Sequence, residues 1–255
     1  MKKILKISLL LSISFTCNAQ RKINSAIIEK FDRIVRLIKY DSVATLASLA
    51  QYPITRENPL PDINSTKEFI ANYRIMVDSG LKEKLKQFSD SDIFEHNGNY
   101  GLVGGVFDGD IWLNENGVLL GFVPSETEDK LMQKMNDDIR GKMYSSIKKW
   151  KRNILVCTTE KYLIRVDETD EGLRYISWSN GHSISEKPDL ILYGGKEEAQ
   201  GEMGGWTYTF KNGKWGYVID EVELCEDDKP QDCGTFLRIE YDGVEKYTYR
   251  CTETK

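Results

Sequence analysis

The sequence predicts an α+β fold: helices and a small antiparallel sheet in the N-terminal half, followed by a C-terminal all-β barrel or sandwich. Three observations carry this. Apolar residues recur every three or four positions over 22–40 and again over 126–150, the period of an amphipathic helix. From about residue 153 onward the chain instead breaks into short runs rich in β-branched and aromatic residues, separated by glycine-bearing turns, which is the signature of a small all-β unit. Four of the five cysteines fall in that second region, where bridges would staple strands. The expected division is 1–19 signal peptide, 20–125 α+β domain, 126–150 connecting helix and 151–255 all-β domain.

Lys2, Lys3 and Lys6 make a positive start, Ile4 to Phe15 an apolar stretch, and Ala19 a small residue before Gln20. That is the layout of a secretory signal peptide, too short for a comfortable membrane span. The expectation is a periplasmic or secreted protein with no stable membrane span. Acylation of Cys17 fits less well, because Ser14, Phe15 and Thr16 do not supply the aliphatic and small residues of a lipobox.

In the first helix Ile23, Ile27, Phe31, Ile34, Val35 and Ile38 share one face. Asp41 is placed to cap a short second helix that ends at Tyr52-Pro53. Residues 54–64, with Pro59 and Pro61, read as a loop. Ser65 and Glu68 fit a capping box opening a third helix, interrupted at Gly80 and running on to about residue 88. Tyr100–Val106, Asp110–Leu113 and Val118–Val123 are short strands, and Asn116-Gly117 between the last two is a hairpin signal. Leu131, Met135, Ile139, Met143 and Ile147 line the helix expected over 126–150. Eight strands follow: Ile154–Cys157, Tyr162–Val166, Arg174–Trp178, Asp189–Tyr193, Trp206–Phe210, Gly216–Leu224, Thr235–Tyr241 and Lys246–Arg250.

The first half resembles the NTF2-like superfamily, a cone-shaped α+β fold. The resemblance rests on the long first helix leading to Leu49-Ala50-Gln51-Tyr52-Pro53, on Asp62-Ile63-Asn64-Ser65-Thr66-Lys67-Glu68-Phe69 opening another helix, and on Gly109-Asp110-Ile111-Trp112-Leu113 before the hairpin. It covers roughly residues 22–125. Tyr162-Leu163-Ile164-Arg165-Val166-Asp167 and Arg174-Tyr175-Ile176-Ser177-Trp178 are similar to the second half of uncharacterised exported bacterial proteins of this build. The resemblance implies an acid or histidine inside the cone, with Asp62, Asp108, Asp110 and His96 as candidates, and homodimers formed through the sheets. Such folds host enzymes, carriers and interaction modules alike, so function does not follow.

The charge balance, 35 Lys+Arg against 40 Asp+Glu, argues against a nucleic-acid partner. His96 and His182 each adjoin an Asn-Gly pair and read as exposed turn residues, and two isolated histidines do not make a zinc site. Asp90, Asp92, Asp108 and Asp110 lack the glycine and glutamate positions of an EF-hand. Gly201 to Gly205 precedes a strand, not a helix, so it is a turn and not a phosphate cradle. No metal, cofactor or catalytic constellation is expected. The firmest chemistry is the cysteines: Cys225–Cys233 across a loop base and Cys157–Cys251 joining the first and last strands, one of three pairings open to four cysteines. The aromatic residues of the second half fit a barrel core. They also fit an outer binding face, for which Trp178, Trp206, Arg165, Arg174 and Arg238 are candidates. The leading expectation is an exported non-enzymatic envelope protein that binds an unidentified envelope protein, a glycan or a small ligand. An NTF2-like enzyme using Asp108 or Asp110 is one alternative. An inhibitor of a cell-wall hydrolase, or an immunity protein, is the other.

Overall fold

The computed structural model describes residues 23–201, 205–223, 225 and 229–254. The expected signal peptide lies outside the described residues.

Helix α1 (Ser25–Lys39) starts where the Asn24 side chain accepts the Ala26 N–H at 2.9 Å, satisfying one of the orphan donors of the first turn. Ile27, Phe31, Ile34 and Ile38 are buried along one stripe, as the periodicity required. Short α2 (Val43–Ala47) and α3 (Thr66–Met76) follow. Ser65 Oγ accepts the Glu68 N–H at 3.3 Å, but the Glu68 carboxylate reaches the N–H of Asn64, one residue before the cap. The expected capping box is therefore displaced by one position. The break after α3 comes at Val77 and not at Gly80: Asp78 caps α4 (Ser79–Lys84), accepting the Leu81 N–H at 3.0 Å.

Four strands form a meander, β1 (Ile93–His96), β2 (Asn99–Gly104), β3 (Phe107–Leu113) and β4 (Leu119–Phe122), each paired antiparallel with the next. The β3–β4 hairpin turns at the expected Asn116-Gly117, with Asn114 as its organiser: its Oδ1 accepts N–H groups from Asn116 and Val118, both at 3.0 Å. Gly117 is required twice over. Its φ is +73°, and a Cβ there would come within 2.5 Å of the Lys30 side chain on α1. The helices and the meander share one apolar core that includes Phe31, Phe69, Ile93 and Ile111.

Helix α5 (Glu126–Lys142) opens with a complete capping box, Ser125 with Glu128, and ends eight residues before the expected 150. Met143 is extended, and only one 3-10 turn, Ser145–Ile147, follows. Met143, Ile147 and Trp150 leave the helix to pack on Ile176 and Trp178 of the second sheet. Burying them there removes apolar surface from water on two elements at once, which a continued surface helix would not do.

The second half holds β5 (Arg152–Thr158), β6 (Tyr162–Thr169), β7 (Gly172–Ser179), β8 (Leu190–Ala199), β9 (Trp206–Asn212), β10 (Trp215–Val222), β11 (Gly234–Tyr241), β12 (Val244–Arg250) and β13 (Glu253–Thr254). The eight expected strands are all present, each antiparallel to the next. They build neither a closed barrel nor a sandwich. The order β12-β11-β10-β9-β8-β7-β6-β5-β13 is a single sheet curled into a half-barrel. Strand β8 makes the corner: Leu190–Gly195 pairs with β7 and Lys196–Ala199 with β9. Gly195 lies so close to the Phe210 ring that a Cβ would meet it at 2.2 Å. Closure fails at the far edge. The chain leaves β11 at Cys251 and only Glu253 and Thr254 pair with Thr158 and Cys157 of β5, too short a ladder to seal the sheet along its length.

The expected fold class therefore needs correction in three respects. The all-β unit is a half-barrel, nothing identifies the first half as an NTF2-like cone, and a division into two domains is not shown. The two halves are in contact: Arg56 pairs with Glu128 in a buried ion pair at 2.7 Å, and Asn58 Nδ2 donates to the Ile154 carbonyl at 3.2 Å.

The disulfides are Cys157–Cys251 and Cys225–Cys233. No helix among the described residues is long and apolar enough to cross a membrane. Both facts are compatible with a periplasmic or extracellular location. The first bridge spans 94 residues and the second 8. Loop-closure entropy gives about 4.7 kcal/mol for the first and about 2.5 kcal/mol for the second. Replacing Cys157 and Cys251 by serine is expected to lower the urea midpoint more than replacing Cys225 and Cys233. Equal midpoints would refute this ranking.

Candidate functional site

Alternation along the strands sorts side chains onto two faces of the half-barrel, and each face carries a cleft. On the concave face the cleft has a volume of about 350 Å3 and lies where β6 begins and β7 ends. Tyr162, Tyr175, Trp215, Tyr217 and Tyr247 supply its aromatic wall, and Ser177, Ser179 and Asp189 its polar groups. It stays open because β12 is an edge strand here.

The walls are braced. Tyr175 is buried and its ring lies 5.6 Å from Phe210 and 5.4 Å from Tyr217. Tyr162 meets Tyr249 edge-on at 5.6 Å, and Trp215 meets Tyr241 edge-on at 5.0 Å. Such pairs hold rings in fixed orientations. Trp215 is nevertheless 39% exposed and Tyr247 54% exposed. At the rim Asp189 Oδ2 accepts both the backbone N–H and the hydroxyl of Ser179, at 2.6 and 2.8 Å. Those bonds hold the carboxyl below its usual range, because they favour the charged form. Burial pushes the phenols of Tyr175 and Tyr217 up, so both keep their protons at neutral pH.

The convex face is built differently. Arg165 and Arg174, on neighbouring strands, are each 2% exposed and both reach Asp167, which is fully buried. Arg165 Nε lies 2.8 Å from one carboxylate oxygen and Arg174 Nη2 2.9 Å from the other. Arg174 Nη2 also donates to the Ile147 carbonyl at 2.9 Å, and Asn153 Nδ2 donates to Asp167 Oδ1 at 3.1 Å. Two guanidiniums share one carboxylate, so one positive charge is unbalanced. Burial lowers the pKa of Arg165, against the raising effect of Asp167. The segment 143–150 covers this network, and the Arg165 guanidinium lies 4.7 Å from the Trp150 ring centre.

The expectation of an outer binding face is thus corrected for Arg165 and Trp178, which are buried, while Arg174, also buried, reaches only the wall of a cleft on that side. The strand alternation does bring the two arginines together, but segment 143–150 packs over them. Trp178 is 1% exposed, its indole N–H donating to the Glu186 carbonyl at 3.0 Å. Arg238 pairs with Asp220 and Glu240 on another part of the sheet. Trp206 is exposed but does not line the concave cleft. Asp108 is exposed, and Asp110 is spent on an ion pair with Lys84 at 2.6 Å and on the Asp108 N–H. Asp92 accepts the N–H of Ser89 in a 3-10 turn. His96 and His182 are both exposed, His96 as the last residue of β1 beside the Asn97-Gly98 turn and His182 in a turn, against Glu186 at 2.7 Å. The residues of the concave cleft were missed, although Tyr175-Ser177-Ser179 and Trp215-Tyr217 have the two-residue spacing that places them on one face.

No family model matches the chain, and no curated protein or solved structure matches it.

Asp167 is the counter-charge for both guanidiniums. Asp167→Asn is expected to destabilise the protein by about 3–5 kcal/mol, because it leaves buried charges uncompensated. Urea unfolding measures this, and a loss below about 1 kcal/mol would show that the network carries no such cost.

Proposed function

We propose that this is an exported, non-enzymatic binding protein of the cell envelope, with a glycan as the ligand of the concave cleft. The observation that carries the reading is the aromatic wall facing a directed carboxylate and two hydroxyls. A sugar ring presents C–H groups on its faces and hydroxyls around its edge. Aromatic faces take the former, and Asp189, Ser177 and Ser179 are placed to take the latter. A cleft of this size with a few convergent polar groups on an apolar lining is the usual form of a small-ligand site.

The same chemistry weighs against catalysis there. Glycoside hydrolysis needs two carboxyl groups, one held protonated as the acid. The cleft lining contributes one, Asp189, and its hydrogen bonds favour the charged form. Asp110, the carboxylate considered for an enzyme, is neutralised by Lys84 away from the cleft.

Chito- and cello-oligosaccharides, titrated calorimetrically, test the reading. Trp215→Ala is expected to weaken binding about tenfold or more, roughly 1.4 kcal/mol, while unfolding stability falls only by what the lost Tyr241 pair contributes, about 0.5–1.5 kcal/mol. Trp206→Ala should leave affinity unchanged. Equal losses in the two variants, or no heat with any oligosaccharide, would overturn it.

Affinity should also be level between about pH 5 and pH 8. The lowered Asp189 pKa keeps its charge throughout that window, and the charge is lost only as the pH falls through the folded-state value. A titration centred within the window that persists in His182→Ala would contradict the assignment of Asp189, because His182 is the neighbouring group whose charge acts on it.

A further inference from the structure

A second cleft, of about 510 Å3, opens on the convex side beside the buried arginines. It does not share residues with the concave cleft. Arg140, Lys148, Lys149, Lys151 and Arg174 line it, against the carboxylates of Asp170 and Glu171. The local charge is positive in a chain whose net charge is −5.

The charge has depth as well as number. Arg174, 2% exposed, lies in the wall of the cleft, and its buried Nε finds no acceptor within the protein. Its neighbour Arg165 has a buried Nη2 in the same condition. Asp167 offsets only one of these two cations. A buried donor without an acceptor, next to an unbalanced charge, is costly unless a ligand completes it. The rim cations are only partly engaged. Arg140 pairs with Asp137 and donates to the Trp150 carbonyl, Lys151 pairs with Asp170 at 3.2 Å, and Lys148 donates to a carbonyl. Trp150, buried at the side of the cleft, packs against the Arg140 guanidinium, 4.0 Å from its ring centre. Ser146 adds a hydroxyl donor.

We propose that this cleft is an oxyanion site for a phosphoryl group, with Arg174 as its deep contact and Lys149 and Lys151 as its rim. Guanidinium forks and ammonium groups are the side chains that recognise phosphate. The buried position of Arg174 suits a phosphoryl group on a small soluble molecule that can enter, more than one held in the plane of a bilayer.

The test uses the disulfide-bonded protein and three probes. Inorganic phosphate and pyrophosphate are titrated calorimetrically against sodium chloride at matched ionic strength. Phosphatidylcholine vesicles containing phosphatidic acid are sedimented with the protein. The expected result is saturable binding of the soluble phosphates, tighter for pyrophosphate, and at least a tenfold loss in Lys149→Glu/Lys151→Glu. Both lysines are exposed, so that variant tests charge without disturbing the core. Vesicle binding without soluble phosphate binding, lost in the same variant, would keep the phosphoryl site and assign its source to a headgroup. A response to chloride equal to that to phosphate would overturn the proposal, as would unchanged phosphate affinity in the charge-reversed protein. A Lys161→Glu control, on a residue outside this cleft, should bind phosphate as the unaltered protein does.

Discussion

Asp167 sits fully buried between two guanidiniums on the convex face of the curled sheet, and the second half of the protein is organised around it. Charges are seldom buried, because water solvates them far better than a protein interior does. Here the carboxylate fixes Arg165 and Arg174 in place, and Arg174 in turn holds the Ile147 carbonyl. Asn153 completes the arrangement at the irregular start of β5, where the register with β6 shifts. Segment 143–150 therefore has a polar anchor as well as an apolar one, and its departure from the helical path of α5 follows from both.

The two faces of the half-barrel are covered in different ways. The convex face is roofed in part by segment 143–150, with Arg165, Asp167 and Arg174 buried beneath it. The concave face is filled by its own side chains, among them Val166, Ile219, Leu237 and Tyr249, and gapes only where β12 lacks a partner. Both clefts arise where a layer runs out: one where the roof ends, the other where the sheet fails to close.

Much of the architecture was legible because it depends on short-range pattern. The stripe Ile27, Phe31, Ile34 and Ile38 specified α1, and the glycine-punctuated runs after residue 153 specified the strands. Strand β1 was not legible: Ile93-Phe94-Glu95-His96 buries one residue fully, and four residues hold too little alternation to read. The end of α5 was misread because Met143 and Ile147 keep the helical spacing whether or not the helix continues. Arg165 and Arg174 could be placed on one face from alternation alone. Whether that face meets water depends on Trp150 and its neighbours folding back over it, a tertiary fact that strand periodicity does not contain. The closed barrel failed for a similar reason, since edge pairing is decided between residues as far apart as Cys157 and Thr254.

The long bridge also has a consequence for the order of assembly. Of the four bridged cysteines, a chain that emerges from its N-terminus presents Cys157 first, then Cys225 and Cys233, and the native partner Cys251 last. An oxidant that joins cysteines in order of appearance would link Cys157 to Cys225, which is not a native pair. The tight Cys225–Cys233 loop counteracts this, because eight residues of separation bring those thiols together far more often than sixty-eight do, as loop-closure entropy requires. Early capture of Cys225 by Cys233 leaves Cys157 with one native choice when the last strand arrives. Loop closure thus favours forming the short disulfide before the long one.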